Sequence, residues 1–289
     1  MYTVNEYDDK FKMYELKEES TQSSVVVCPE RGGIITSFIV GGKEIFYLDK
    51  DTFYDVDSNI RGGNPILFPI CGQLKEGKYE LKGKTFLMKN HGVARTSPWE
   101  VVKTSEESEA SITLRLKDNE ETIKSYPFQF ELIFTYILKD GKLSIVQEYC
   151  NKSEEPMPMY AGFHPYFNTE SKNIKYRTDA SKYLDYNDMQ IKDYKGSIDL
   201  TDMVESAAFI DSKENHISFE LPRLNRNITL EYGKEFNYIV VWSVKDKDFV
   251  CVEPWMSKNG AFNTLENLTY VEPNSSLKTF FNIKVNFNF

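Results

Sequence analysis

Gln129-Phe130-Glu131-Leu132-Ile133-Phe134-Thr135-Tyr136-Ile137-Leu138 is the stretch on which the fold turns. Phe130, Leu132, Phe134, Tyr136 and Leu138 fall on every second position, the period of a strand with one face against a core. Asp140-Gly141 follows, a pair that readily takes up a tight turn. Beyond it Leu143 and Ile145 alternate with Ser144, so Gln129–Tyr149 predicts a β-hairpin. The C-terminal Phe281–Phe289 has the same period, with Phe281, Ile283, Val285, Phe287 and Phe289 on one face and Asn282, Lys284, Asn286 and Asn288 on the other. It predicts a strand with one buried face.

Working outward, shorter strands are expected at Ser24–Cys28, Ile34–Val40, Glu44–Leu48, Thr85–Met88, Trp99–Lys103 and Ser111–Leu116. Others are expected at Ile217–Leu221, Ile228–Tyr232, Tyr238–Val244 and Phe249–Val252. Gly41-Gly42, Lys82-Gly83 and Asp246-Lys247-Asp248 punctuate them as turns. Only Asp202–Phe209 has a weakly helical pattern, and the acidic stretches Ser105–Glu109 and Lys117–Glu121 are expected at solvated hairpin tips. Many strands at short spacing predict an all-β sandwich or barrel. No Pro/Gly/Ser linker and no repeat divides the chain, so residues 1–289 are expected to form one domain.

Composition bounds the function. Hydrophobic residues make up 40% of the 289 residues and aromatics 14%, enough to fill a core and line a concave face. With 35 basic against 44 acidic residues the net charge is −9, and no basic run offers the footprint that nucleic acid requires. The N-terminal MYTVNEYDDKFKMYELKEES lacks the apolar stretch of a secretory signal, and no apolar run reaches the roughly 20 residues of a membrane span. A cytoplasmic location without nucleic acid or membrane partners is the expectation. Cys28, Cys71, Cys150 and Cys251 are scattered and are expected to be reduced, buried thiols.

His91, His164 and His216 are the only histidines, and neither HxxxH, HExxH nor CxxC occurs, which argues against a metal site. A GxSxG elbow and a glycine-rich strand-to-helix loop are also missing, leaving no sign of an α/β-hydrolase or a nucleotide site. His164 lies among aromatics in Tyr160-Ala161-Gly162-Phe163-His164-Pro165-Tyr166-Phe167, before a proline that keeps its backbone extended. It reads either as a proton carrier near neutral pH or as a hydrogen-bonded core histidine. Glu253 ends the apolar run Phe249-Val250-Cys251-Val252 and precedes Pro254-Trp255. A carboxylate there is a candidate base or a solvated, ion-paired strand end. Glu272, followed by polar residues, reads as a turn residue.

Two further segments carry arginine beside glycine: Arg61-Gly62-Gly63-Asn64-Pro65-Ile66-Leu67-Phe68-Pro69 and Asn90-His91-Gly92-Val93-Ala94-Arg95. Glycine lets backbone approach a ligand, and the guanidinium fork suits hydroxyls, carboxylates or phosphates. Each arginine alone could equally be an ordinary surface or ion-paired residue.

Taken in order, RGGNPILFP, NHGVAR, GFHPYF and VCVEPW resemble the marks of the aldose 1-epimerase, or galactose mutarotase-like, family. The resemblance runs from Pro29-Glu30-Arg31-Gly32-Gly33 to the final strands. It implies a large antiparallel β-sandwich with an open sugar-binding face, no cofactor, and a small-molecule sugar or sugar phosphate as partner. It further implies Glu253 as the base that takes the anomeric hydroxyl proton and His164 as the acid that protonates the ring oxygen, on opposite sides of the anomeric carbon. His91 would hydrogen-bond near the ring oxygen and Arg61 would orient hydroxyls. The paired Arg61 and Arg95 also resemble the hexose-6-phosphate mutarotase branch, in which they would hold phosphate. The aspartate that binds sugar hydroxyls in galactose-active members has no match between Asp185 and Asp211. A non-catalytic carbohydrate-binding module is the competing reading. A glycosidase is less well served, since it needs two carboxylates across a scissile bond.

Overall fold

The computed structural model of the protein describes residues 1–287. The predicted hairpin is its spine: Phe130–Lys139 pairs antiparallel with Lys142–Asn151 in unbroken register, and Asp140 and Gly141 close the turn at φ 53° and 67°. Phe130, Leu132, Phe134, Tyr136 and Leu138 are all buried, as their spacing requires. Around them a nine-stranded antiparallel sheet runs in the order Ser197–Asp199, Asn173–Arg177, His216–Leu221, Arg226–Tyr232, Ser276–Phe287, Lys142–Asn151, Phe130–Lys139, Ala110–Lys117 and Glu100–Ser105.

A second sheet faces it, in the order Gln190–Asp193, Lys182–Asp185, Ala207–Phe209, Tyr238–Trp242, Phe249–Trp255, Gly162–Phe163 and Ile66–Leu67, with Tyr166–Asn168 added beside Phe249–Trp255. The core is an aromatic seam between the two. Phe163 meets Phe281 at 5.0 Å and Phe134 at 6.1 Å, Phe167 meets Phe219 at 5.0 Å, and Phe68 meets Phe130 at 4.9 Å. Such edge-on and tilted contacts each add about 0.5–1.5 kcal/mol beyond area burial. The architecture is the all-β antiparallel sandwich expected. Among the described residues no helix is long and apolar enough to cross a membrane.

Several local expectations change. Asp202–Phe209 is not helical: Ala207–Phe209 is a strand between Lys182–Asp185 and Tyr238–Trp242, where three buried side chains and two ladders outweigh a weak helical preference. Lys117–Glu121 is not a plain hairpin tip either. Asn119 caps a short helix, Glu120–Ser125, by accepting from the Glu121 and Thr122 N–H groups. Glu44–Leu48 pairs as a strand only at Lys43–Glu44, with single bridges at Phe46 and Leu48. The C-terminal strand spans Ser276–Phe287, but its burial fades: Phe281 and Ile283 are fully buried, whereas Phe287 is half exposed beneath the Arg226 guanidinium at 4.0 Å. Phe289, expected on the same face, lies outside the described residues.

The sequence reading also misses the first two strands, Tyr2–Asp8 and Lys12–Glu18, which begin a five-stranded sheet continued by Ser23–Cys28, Ile34–Val40 and Lys43–Glu44. Dense charge hides them: in Lys12–Glu18 the buried Met13, Tyr14 and Leu16 sit among four charged residues. All four cysteines are buried and free, as expected.

Candidate active site

The second sheet has two faces, and strand periodicity divides chemistry from core. On Gly162–Asn168, Phe163 and Phe167 point into the aromatic seam, while His164 and Tyr166 stack on one another outside it, centroids 4.7 Å apart. On Phe249–Trp255, Val250 and Val252 join the core; Glu253 and Trp255 turn the other way and line a cleft. Val240, opposite Glu253 in the ladder, and Trp242, opposite Cys251, line the same side. The cleft holds about 360 Å³, within the roughly 300–1,000 Å³ usual for small-molecule sites.

The structure brings together all five residues singled out from the sequence: Arg61, His91, Arg95, His164 and Glu253 all line this cleft. At its floor His164 Nε2 lies 3.5 Å from Glu253 Oε1, with both residues buried. Burial, reinforced by the Arg95 charge, drops the His164 pKa to about 3. Burial also lifts Glu253 well above the ordinary carboxylate range, against the opposing pull of the Trp255 hydrogen bond and Arg95. Loss of water penalises charge on both, so burial favours neutral imidazole with neutral carboxyl. That pair and the imidazolium–carboxylate pair contain the same single proton. At 3.5 Å the two groups lie within reach of passing one proton between them.

His91 stands at a strained position, φ 67°, anchored by an exchange with Gly72: the His91 N–H donates to the Gly72 carbonyl at 2.7 Å, and the Gly72 N–H donates to His91 Nδ1 at 3.0 Å. Desolvation, helped by Arg95 and His164, holds its pKa well below 6.5, so the ring is neutral. With Nδ1 accepting, the ring hydrogen resides on Nε2, making His91 a fixed neutral donor. Its ring meets His164 edge-on at 5.3 Å.

Arg95 is partly buried and gives Nη2 to the Ile60 carbonyl at 3.3 Å, tying its loop to the one that carries Arg61. Arg61 is exposed, and among the described residues nothing engages its guanidinium by hydrogen bond or ion pair. The glycines beside it serve packing, which corrects the expectation that they admit a ligand. A Cβ on Gly62, at φ 137°, would lie 2.5 Å from Leu48 Cα, and one on Gly63, at φ 63°, would lie 2.3 Å from the Ile35 carbonyl oxygen. Backbone meets backbone there.

Other lining residues escaped the sequence reading. Glu205 is one: Asp185 is engaged by Lys192 and Asn187, Asp211 caps Ser181 and Lys182, and neither lines the cleft, whereas Glu205 between them does. Its loop is pinned because the Val204 and Glu205 N–H groups donate to Asn187 Oδ1 and the Trp242 indole donates to the Val204 carbonyl. Gln73, Asn90 and Asn259 add amides to the wall. Asn187, which fixes that loop, is local to a turn, and no periodicity could have connected it to a cleft. Cys251, His164 and Glu253 place donor atoms within 4.8 Å of one another. Burial and the neighbouring Glu253 push the Cys251 thiol well up from its ordinary value.

Comparison with known proteins places the chain in a family. The sequence pattern of the family described as aldose 1-epimerase matches residues 12–284, beginning earlier than the motifs alone suggested. The LacX protein of Lactococcus lactis subsp. lactis is 27% identical over 265 residues, 81% of this chain and 87% of LacX. A Salmonella typhimurium protein named provisionally as glucose-6-phosphate 1-epimerase is 25% identical over 74% of this chain and 73% of its own. The crystal structure of Slr1438 from Synechocystis sp. PCC 6803 superposes with a TM-score of 0.94 at 35% identity, over the full length of both chains.

Proposed function

The chain belongs to the aldose 1-epimerase family and is an isomerase, and from that premise we propose that it interconverts the α and β anomers of an aldohexose by acid/base ring opening and reclosure. The observation that supports this best is the 3.5 Å contact between His164 Nε2 and Glu253 Oε1 at the floor of the cleft. Ring opening removes a proton from the anomeric hydroxyl and delivers one to the ring oxygen. These two oxygens share one carbon, so an acid and a base in contact with one another, and not on opposite sides of the anomeric carbon as expected, can serve both. Glu253 is the base and His164 the acid: the carboxylate takes the hydroxyl proton, the imidazolium protonates the ring oxygen, and the C–O bond breaks to the aldehyde. The carbonyl turns, and the reverse transfers close the ring from its other face. Each transfer is worth roughly 10²–10⁴-fold.

The resting floor favours the neutral pair, and the working pair is its charged isomer. Sugar hydroxyls entering the cleft supply the hydrogen bonds that bulk water cannot, while Arg95 favours the carboxylate. His91, with its hydrogen on Nε2, donates to the substrate near the ring oxygen, and Arg61 orients hydroxyls.

A phosphorylated substrate is the second reading. The Arg61 guanidinium, unengaged among the described residues, the partly buried Arg95 on the same cleft, and the Salmonella relative favour it. Two planar forks around a dianion give the strongest class of hydrogen bond. Polarimetry of freshly dissolved α-glucose, α-galactose and α-glucose 6-phosphate tests both readings. Acceleration of at least one sugar is expected; none equilibrating faster than buffer, with binding seen by calorimetry, would make the protein a carbohydrate-binding module instead.

A further inference from the structure

Glu253 does not face the cleft unassisted. Two residues further along its strand, Trp255 projects to the same side, and its indole N–H donates to Glu253 Oε2 at 3.0 Å while Oε1 faces His164. No other donor within 3.5 Å of the carboxylate occurs among the described residues, His164 apart. The indole is itself wedged. Gly162 sits opposite it in the ladder, where a Cβ would come within 2.9 Å of Trp255 Cδ1, and a Cβ on Gly72 would come within 2.9 Å of Cζ3. The His91 ring lies edge-on at 6.0 Å, and Trp255 is 3% exposed.

We infer that Trp255 is the positioning residue of the base: its N–H holds one carboxylate oxygen so that the other is presented to the anomeric hydroxyl. The inference rests on Glu253 acting as the base. The terminal torsion of a glutamate is broad, so an unheld carboxylate would swing through orientations of which few face the sugar. Held by one oxygen, the group loses that freedom before substrate arrives. The bond also sets the balance of the proton. A hydrogen bond to a carboxylate favours the charged form, so Trp255 keeps Glu253 able to return the proton it takes, as reclosure in either direction demands.

The groups facing Glu253 are few. His164 and Tyr166 come from the adjoining strand, Cys251 from its own, Cys71 from the loop behind, and Arg95 from the cleft wall, with His91 reaching only His164 and Trp255. Arg95 is the one permanent charge among them. It and Trp255 together oppose the burial that would otherwise keep the carboxyl protonated.

Trp255→Phe keeps the wedge and deletes the N–H. Two linked changes are expected: kcat falls about 10- to 100-fold with KM within about twofold, and the basic limb of the pH–rate profile moves up by about one to two units. The two shifts have equal size because both measure the lost preference for the carboxylate. A fall in kcat with an unmoved basic limb would reduce Trp255 to a structural wedge and overturn the inference, as would unchanged kinetics. Should that variant fail to fold, the indole N–H proton resonance of Trp255 in the wild type and in Glu253→Gln decides. Read at a pH above the alkaline limb, where Glu253 is ionised, it is expected to move upfield when the carboxylate is replaced, and an unmoved resonance overturns the inference. Glu253→Gln separates the two levels. Full activity there defeats the base itself, whereas its loss beside a normal Trp255→Phe defeats only the positioning.

Discussion

The floor of the cleft and its rim are built on opposite principles. On the floor, Glu253 is 1% and His164 7% exposed, and His91 and Trp255 each have a defined hydrogen-bond partner. On the rim, Arg61 and Glu205 are exposed, and neither side chain is engaged among the described residues. Desolvation makes the floor electrostatically strong and leaves its charges costly; the rim keeps its water and stays adjustable. On the proposed function, chemistry belongs to the first region and the choice of sugar to the second. The comparison therefore predicts a division of kinetic effects, with kcat and pH dependence set by the floor and KM by the rim.

The hardest test of that division is removal of a floor proton carrier. Glu253→Gln should lower kcat about 10³-fold and His164→Asn about 10²–10³-fold, each with KM and Tm little changed, as measured by polarimetry and thermal unfolding. A drop in KM-controlled affinity with kcat intact would erase the distinction. Next in size is the scaffold beneath the floor. Gly63→Ala puts a side chain at φ 63° and a Cβ 2.3 Å from the Ile35 carbonyl oxygen. The backbone strain alone costs about 1–3 kcal/mol, read as a lowered denaturation midpoint, and an unchanged midpoint would show that the loop can shift without penalty.

The floor should also announce itself in the pH–rate profile. His164 takes a second proton only as pH falls toward about 3, so no acidic limb is expected at the ordinary histidine value of about 6.5. Glu253 is raised, so the shared proton is lost, and activity with it, only as pH climbs through a value above the usual carboxylate range. The expected plot of kcat/KM is flat through weakly acid pH and falls on the alkaline side. Activity that falls away below pH 6.5 would mean that His164 is solvated in the working enzyme.

How much of this was legible in the chain follows from the same contrast. Alternating apolar residues wrote the hairpin around Asp140-Gly141 plainly, because a strand with one buried face must alternate. His164 and Glu253 stood out as polar groups among apolar neighbours, yet each kept an ordinary structural explanation until RGGNPILFP, NHGVAR, GFHPYF and VCVEPW were read together. The N-terminal strands were obscured because exposed positions there are filled with charge, diluting the period. Glu205 was unreadable because its place on the rim depends on Asn187 and Trp242, contacts between residues distant in sequence. The roles of Gly62 and Gly63 were misjudged for a similar reason: what approached them was Leu48 and Ile35.

The smallest expected effects lie on the rim and decide the substrate. Arg61 and Glu205 carry opposite charges at one mouth, so a dianionic sugar phosphate is attracted by one and repelled by the other, while a neutral hexose is indifferent to the net charge of either. Solvent limits each contribution to about 1 kcal/mol, roughly fivefold. Arg61→Ala should therefore raise KM for α-glucose 6-phosphate several-fold, and Glu205→Gln should lower it by up to about fivefold, with kcat unchanged in both. The effects should shrink as ionic strength rises, since exposed charges are screened over about 10 Å at 0.1 M salt. If instead both substitutions alter KM for α-glucose and leave the phosphate ester poorly used at every salt concentration, the rim reads hydroxyls. The cleft is then that of a free-sugar mutarotase, with Arg61 a hydrogen-bond fork and not a phosphate clamp.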